Sequence, residues 1–226
     1  MTFLEEIALR QSLRAGLLLL GLLAALLYAA VFCYRGPSGA KTLVKAVPLL
    51  SFALAGLTTF AAPLVIVALL LSAVGDIALS RPGRRAFLTG LVGFAAAHLV
   101  YVLHFAALSG GVALSLAALP VVVFALSTER WLVPHTGDLR WPVRVYVLLI
   151  SLMGITALGL EGRMLAMLGA FAFIASDTIL SLQLFRMGEG ARWQVPASVV
   201  LWGLYVGGQL AILAGAGWAT PLFQFR

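Results

Sequence analysis

Charge is what this 226-residue chain has least of: Asp, Glu, Lys and Arg together make up 10% of it, against roughly 25% in ordinary soluble domains. With 62% hydrophobic residues, a soluble fold of this length could not hide its apolar surface, so lipid must be the solvent for most of it. Cysteine is almost missing too. Cys33 stands alone, which excludes an internal disulfide framework and any multi-cysteine metal site. The three histidines, His98, His104 and His135, fall into no HxxxH or HExxH pattern. Neither a dedicated zinc site nor any other cofactor is expected. Alternating ten-residue segments are absent as well, and with them the signature of a membrane β-barrel.

What remains is a series of apolar runs cut by charged or Gly/Pro-rich punctuation. Eight can be drawn, over residues 14–34, 42–59, 62–80, 86–107, 112–128, 141–160, 163–185 and 194–216. Each approaches the 17–25 residues a bilayer demands of a helix, and the backbone inside lipid must be satisfied within each segment. The expected fold is all-α: one transmembrane domain, a polytopic helix bundle of about eight spans. The first run is long for a signal-peptide core and lacks a clear cleavage site, so it is expected to be a retained helix. The net charge of +7 comes from 15 Lys and Arg scattered singly. That distribution points to topology control and anionic lipid headgroups rather than nucleic acid.

With eight spans, one side of the membrane receives ten basic residues: Arg35, Lys41, Arg81, Arg84, Arg85, Arg130, Arg140, Arg144, Arg186 and Arg192. The other receives four, Arg10, Arg14, Arg163 and Arg226. The positive-inside rule then makes the first side cytoplasmic and both termini non-cytoplasmic, in a bacterial inner membrane or its equivalent. Small residues recur at helical spacing, as in Gly90, Gly93 and Ala97 and again in Gly203 and Gly207, where close helix contact is expected. A short echo links Gly75-Asp76-Ile77-Ala78-Leu79-Ser80 in the third run with Ser176-Asp177-Thr178-Ile179-Leu180-Ser181 in the seventh.

Among the eight acids, Asp76 and Asp177 are the two that fall within apolar runs. A charged Asp at the centre of a spanning helix costs about 2.5–3.5 kcal/mol on insertion scales, and intramembrane acids mark working sites. Asp76 lies about 7 Å of helix rise before Arg81, and Asp177 about 13 Å before Arg186, so both belong to the half of the membrane next to the basic loops. Lys45, His98, Tyr101, Tyr146, Tyr205 and Gln209 fall inside other runs and are candidates to support them. Two carboxyl groups sharing a dry site can divide roles, one holding its proton and the other ionised. Such a pair suits acid-catalysed addition of water to a labile bond, and equally suits proton coupling in a transporter or flippase. A retinal-type receptor is disfavoured, because the seventh run contains no lysine.

The Gly75-Asp76 pair, the stretch Phe87-x-x-Gly90-x-x-x-Phe94-x-x-x-His98-x-x-Tyr101, the Ser176-Asp177 pair and Tyr205-x-x-x-Gln209 resemble the YhhN family of integral membrane lysoplasmalogenases. Lys45, with Pro48 three residues on, resembles that family's early Lys-Pro feature, displaced by Ala46-Val47. The resemblance implies hydrolysis of the vinyl ether bond of a lysoplasmalogen to a fatty aldehyde and glycerophosphoethanolamine or glycerophosphocholine. Its partners would be a lysophospholipid substrate, water and the surrounding membrane lipids. Asp76 and Asp177 would form the catalytic acid/base pair. Lys45 would meet the lipid phosphate or tune the acids, Tyr146 and Tyr205 would bond the glycerol or water, and His98 and Gln209 would hold the carboxylates.

Overall fold

The computed structural model describes residues 2–111, 115–188 and 190–218; Arg226, one of the four basic residues counted above for the non-cytoplasmic side, lies outside them. Among the described residues the chain is all-helical, with eight α-helices: α1 (Phe3–Leu27), α2 (Gly39–Thr58), α3 (Pro63–Leu79), α4 (Arg84–Ser109), α5 (Leu119–Trp131), α6 (Arg140–Ala157), α7 (Met164–Phe185) and α8 (Gln194–Ala216). Seven of the helical stretches are long and apolar enough to cross a membrane. The remaining one, α3, has 17 residues and a rise of about 26 Å, slightly less than the roughly 30 Å of bilayer hydrocarbon.

Helix α1 begins at Phe3 rather than near residue 14, and its first turn explains why. Glu5 N–H donates to the Thr2 hydroxyl at 3.3 Å while Thr2 N–H donates to the Glu5 carboxylate at 2.8 Å, a reciprocal capping box. Arg10 continues the polar turns of α1, pairing with Glu6 at 2.7 Å and donating to the Thr58 carbonyl at the end of α2. At its other end α1 runs into a π turn, Tyr28–Phe32. The fifth helix also departs from the expected 112–128: a 3₁₀ turn at Leu116–Ala118 precedes it, and α5 runs on to Trp131. Residues 112–114 of that expected run lie outside the described residues.

The helices pack in a circuit of α2, α3, α4, α6, α7 and α8, with α8 returning to touch α2 and α3, while α1 lies outside against α2 and α5 against α6. Lipid supplies no hydrophobic drive between helices, so close approach through small residues decides which faces meet. A Cβ on Gly93 of α4 would lie 3.1 Å from the backbone nitrogen of Gly75 in α3. A Cβ on Gly169 of α7 would lie 2.6 Å from the carbonyl oxygen of Gly208 in α8, and one on Gly208 would lie 2.8 Å from the Gly169 carbonyl. The expectation for Gly203 and Gly207 is not met, because an added Cβ at either has no neighbour within 4 Å. The contact register on α8 instead runs through Gly208 and Gly215. Gly208→Ala is therefore expected to destabilise the bundle by about 1–3 kcal/mol through overpacking, with Gly203→Ala neutral; thermal unfolding in detergent compares the two.

Candidate functional site

The polar side chains inside the circuit come from six different helices and divide into three groups. The first is built on Asp76, one turn from the end of α3 and 1% exposed. Its Oδ1 lies 3.3 Å from Nζ of Lys45 on α2, and its Oδ2 accepts the hydroxyl of Tyr205 on α8 at 2.7 Å. Gly75 beside it makes room for Phe94 of α4, since a Cβ there would sit 2.7 Å from that ring. Phe94 in turn meets the ring of Tyr205 edge-on at 5.7 Å. The carboxylate thus has a cation on one oxygen and a hydroxyl donor on the other, which is how a buried charge becomes tolerable.

The second group is built on Asp177 of α7. The hydroxyl of Tyr146, on α6, donates to its Oδ2. Nε2 of His98, on α4, lies 3.8 Å from the same oxygen, beyond hydrogen-bond reach. His98 is fully buried, stacked obliquely on Phe173 at 4.6 Å and edge-on to Tyr146 at 5.2 Å. The third group lies on the side of the bundle away from the basic loops. Tyr101 donates to Oε1 of Gln209 at 2.5 Å, and Nε2 of Gln209 donates to the Ser72 hydroxyl at 2.9 Å.

The structure therefore brings Lys45, Tyr205 and Asp76 together, and Tyr146 and His98 with Asp177. It does not carry Gln209 to either carboxylate; Tyr101 and Ser72 occupy both ends of that amide. Asp76 and Asp177 stand in separate groups, each with its own partners. The rings of Tyr205, Phe173 and His98 connect the two groups, Phe173 lying 5.3 Å from Tyr205 and 4.6 Å from His98, and the two carboxyls also feel each other's charge directly. Hydropathy alone could not separate them, because both sit on apolar helices at similar depth.

The two acids also differ in what they face. An open cleft lies between α4, α5, α6 and α7, mostly apolar as small-molecule sites are. Asp177 and Tyr146 are on its wall and Asp76 is not. Its apolar lining includes Leu91, Phe94, Val147, Ile150 and Ile174, and it reaches Phe87, Trp131, Leu132 and Phe185, where the helices meet the basic loops. There Arg186 donates to the Trp131 carbonyl at 3.1 Å and Arg144 grips Glu129 through two 2.8 Å bonds, tying the loop ends together. The cleft residues of α5 escaped the sequence reading, since Phe124, Thr128 and Trp131 look like ordinary lipid-facing positions. Ser72 escaped it as well, being a small hydroxyl with many local alternatives. Among the described residues no three His, Cys, Asp or Glu side chains gather as metal ligands would.

A shell of apolar helices enclosing two partnered acids, one of them lining a greasy cleft, defines a polytopic membrane protein with an intramembrane acid site. Residues 40–216 match the model of the YhhN family, and the chain belongs to that family. The matched region begins at α2 and includes every site residue named above. Two curated relatives, each called lysoplasmalogenase, come from Mycobacterium bovis and Mycobacterium tuberculosis; both are 34% identical over 158 residues, covering 66% of this chain and 58% of theirs. The chain thus spans rather more than half the length of these relatives. No solved structure matches it.

Proposed function

We propose that the chain is a lysoplasmalogenase-like hydrolase that cleaves the vinyl ether bond of a lysoplasmalogen inside the membrane. The products are a fatty aldehyde and glycerophosphoethanolamine or glycerophosphocholine. One observation carries the reading: Asp177 is a carboxyl group on the wall of an otherwise apolar cleft. The names of the mycobacterial relatives support it. An apolar cleft accepts the alkenyl chain, and its loop end lies on the side of the basic loops, whose net positive charge favours the headgroup phosphate.

Vinyl ether cleavage needs a proton on the β-carbon and stabilisation of the oxocarbenium ion that results. Water then adds to the α-carbon, and the hemiacetal collapses to aldehyde and alcohol. Asp177 is the group positioned to deliver the proton, being the carboxyl that reaches the cleft. Asp76 stays with Lys45 as an ion pair behind Tyr205 and supplies a fixed field to the site rather than a contact with substrate. Lys45 and Tyr205 thus support the reaction through Asp76, while Tyr146 aims Asp177.

The reading is tested by incubating purified protein with a lysoplasmalogen and with its saturated ether analogue. Aldehyde is expected from the vinyl ether alone, because only an alkene can accept the proton at carbon. No aldehyde from either, or equal cleavage of both, sinks the proposal.

A further inference from the structure

Among the described residues, His98 is the one whose buried side-chain polar atoms are left over. Its side chain is 0% exposed, and among the described residues neither Nδ1 nor Nε2 has a hydrogen-bond partner. Buried imidazole nitrogens are normally paired, and leaving one unmet costs about 1–3 kcal/mol. A core position whose only task is packing would carry an apolar ring, especially one wedged between Phe173 and Tyr146. Instead Nε2 points at Oδ2 of Asp177 across 3.8 Å. That separation is too long for a direct bond. One oxygen atom about 2.8 Å from both can bridge it at a narrow angle.

We propose that His98 Nε2 and the Asp177 carboxyl together hold the water molecule that hydrolysis consumes. The inference rests on the vinyl ether reading above and adds to it the origin of the nucleophile. In the first step the Asp177 proton passes to the β-carbon, whose alkene electrons form the new C–H bond, leaving a carboxylate and an oxocarbenium ion. The water oxygen then bonds the α-carbon, and one of its protons leaves toward Nε2 of His98 and returns to the Asp177 carboxylate, restoring the acid. Finally the C–O bond to glycerol breaks as the hemiacetal hydroxyl proton moves to the glycerol oxygen. One water is consumed, and aldehyde and alcohol are released with no net change in the enzyme. His98 thus serves the second step and not the first.

That division of labour gives a signature that a structural histidine cannot produce. In D2O the parent enzyme captures its oxocarbenium ion quickly, so recovered lysoplasmalogen stays free of deuterium at the β-carbon. His98→Phe fills the same space and deletes both unpaired nitrogens. We expect its melting temperature to be no lower than the parent's, its aldehyde release to fall about 100-fold, and deuterium to appear at the β-carbon of recovered substrate as the stranded cation loses a proton back. His98→Gln, whose amide can meet the same water, is expected to recover part of the rate and suppress the exchange. Turnover of His98→Phe within threefold of the parent overturns the proposal. So does a loss of turnover without exchange, or a loss of melting temperature, which would make the histidine a structural partner. A parent enzyme that releases no aldehyde at all refutes the vinyl ether reading instead, so the two failures are distinct.

Discussion

Asn in place of Asp177 is expected to cut aldehyde release from lysoplasmalogen by about 10²–10⁴-fold, the usual range for losing a general acid, with fold and membrane insertion kept. The exchange is nearly isosteric. The amide oxygen still accepts the Tyr146 hydroxyl that now donates to Oδ2, so packing at the α6–α7 contact is retained. What disappears is the one acidic proton on the cleft wall. Recovered substrate should stay free of deuterium, as with the parent and unlike with His98→Phe, because carbon is never protonated. Gel filtration in detergent and the melting temperature serve as controls. Near-normal aldehyde release from a well-folded Asp177→Asn protein would falsify the assignment.

A second large effect is expected on stability. Lys45→Met removes the cation 3.3 Å from Asp76 and leaves an acid that is 1% exposed with Tyr205 as its remaining partner. Breaking a buried ion pair from one side costs about 3–5 kcal/mol, because the surviving charge keeps its desolvation penalty. Lys45 is itself 15% exposed, which places the expected loss near the lower end, about 3 kcal/mol. Adding Asp76→Asn to Lys45→Met should restore most of that stability, since a neutral amide still accepts from Tyr205 and needs no cation. Activity should stay low in the double variant, because the field from the pair is gone. Chemical denaturation of the single and double variants measures both halves, and a Lys45→Met protein as stable as its parent would show that the pair holds nothing together.

These outcomes turn on a distinction between the two acids that composition could not make. Each stood out for the same reason, the expense of a carboxylate in an apolar helix, and each lies near the same basic loops. The difference comes from neighbours far away in the chain. Lys45 is brought to Asp76 by the packing of α2 on α3, and Tyr205 by the return of α8 to both. Tyr146 reaches Asp177 because α6 lies against α7. Helical periodicity gives the face on which a residue stands, but it does not say which helix that face will meet. Gln209 shows the same limit: its spacing from Tyr205 places both on one face of α8, yet one turn of rise carries it past the acids to Ser72 and Tyr101.

The glycines are instructive for the same reason. Gly203 and Gly207 have the four-residue spacing of a packing motif, yet a Cβ added at either would meet no neighbour within 4 Å, whereas one on Gly208 would meet the backbone of Gly169. Moving one residue along a helix rotates a side chain by about 100°, enough to pass from lipid to the interface. Spacing alone leaves that rotation open.

By itself the sequence determined the class of this protein, its all-helical build and the two acids that its apolar helices carry. Lipid imposes those features segment by segment: a span must be about 20 apolar residues with its hydrogen bonds closed internally, and a charge inside it is too expensive to go unnoticed. Only the tertiary structure decided that Asp177 faces the cleft while Asp76 stays behind with Lys45, and that neither nitrogen of His98 finds a hydrogen-bond partner among the described residues. Those outcomes depend on which helices touch and at what rotation, and in a membrane that choice is made by side-chain shape at the contacts between helices.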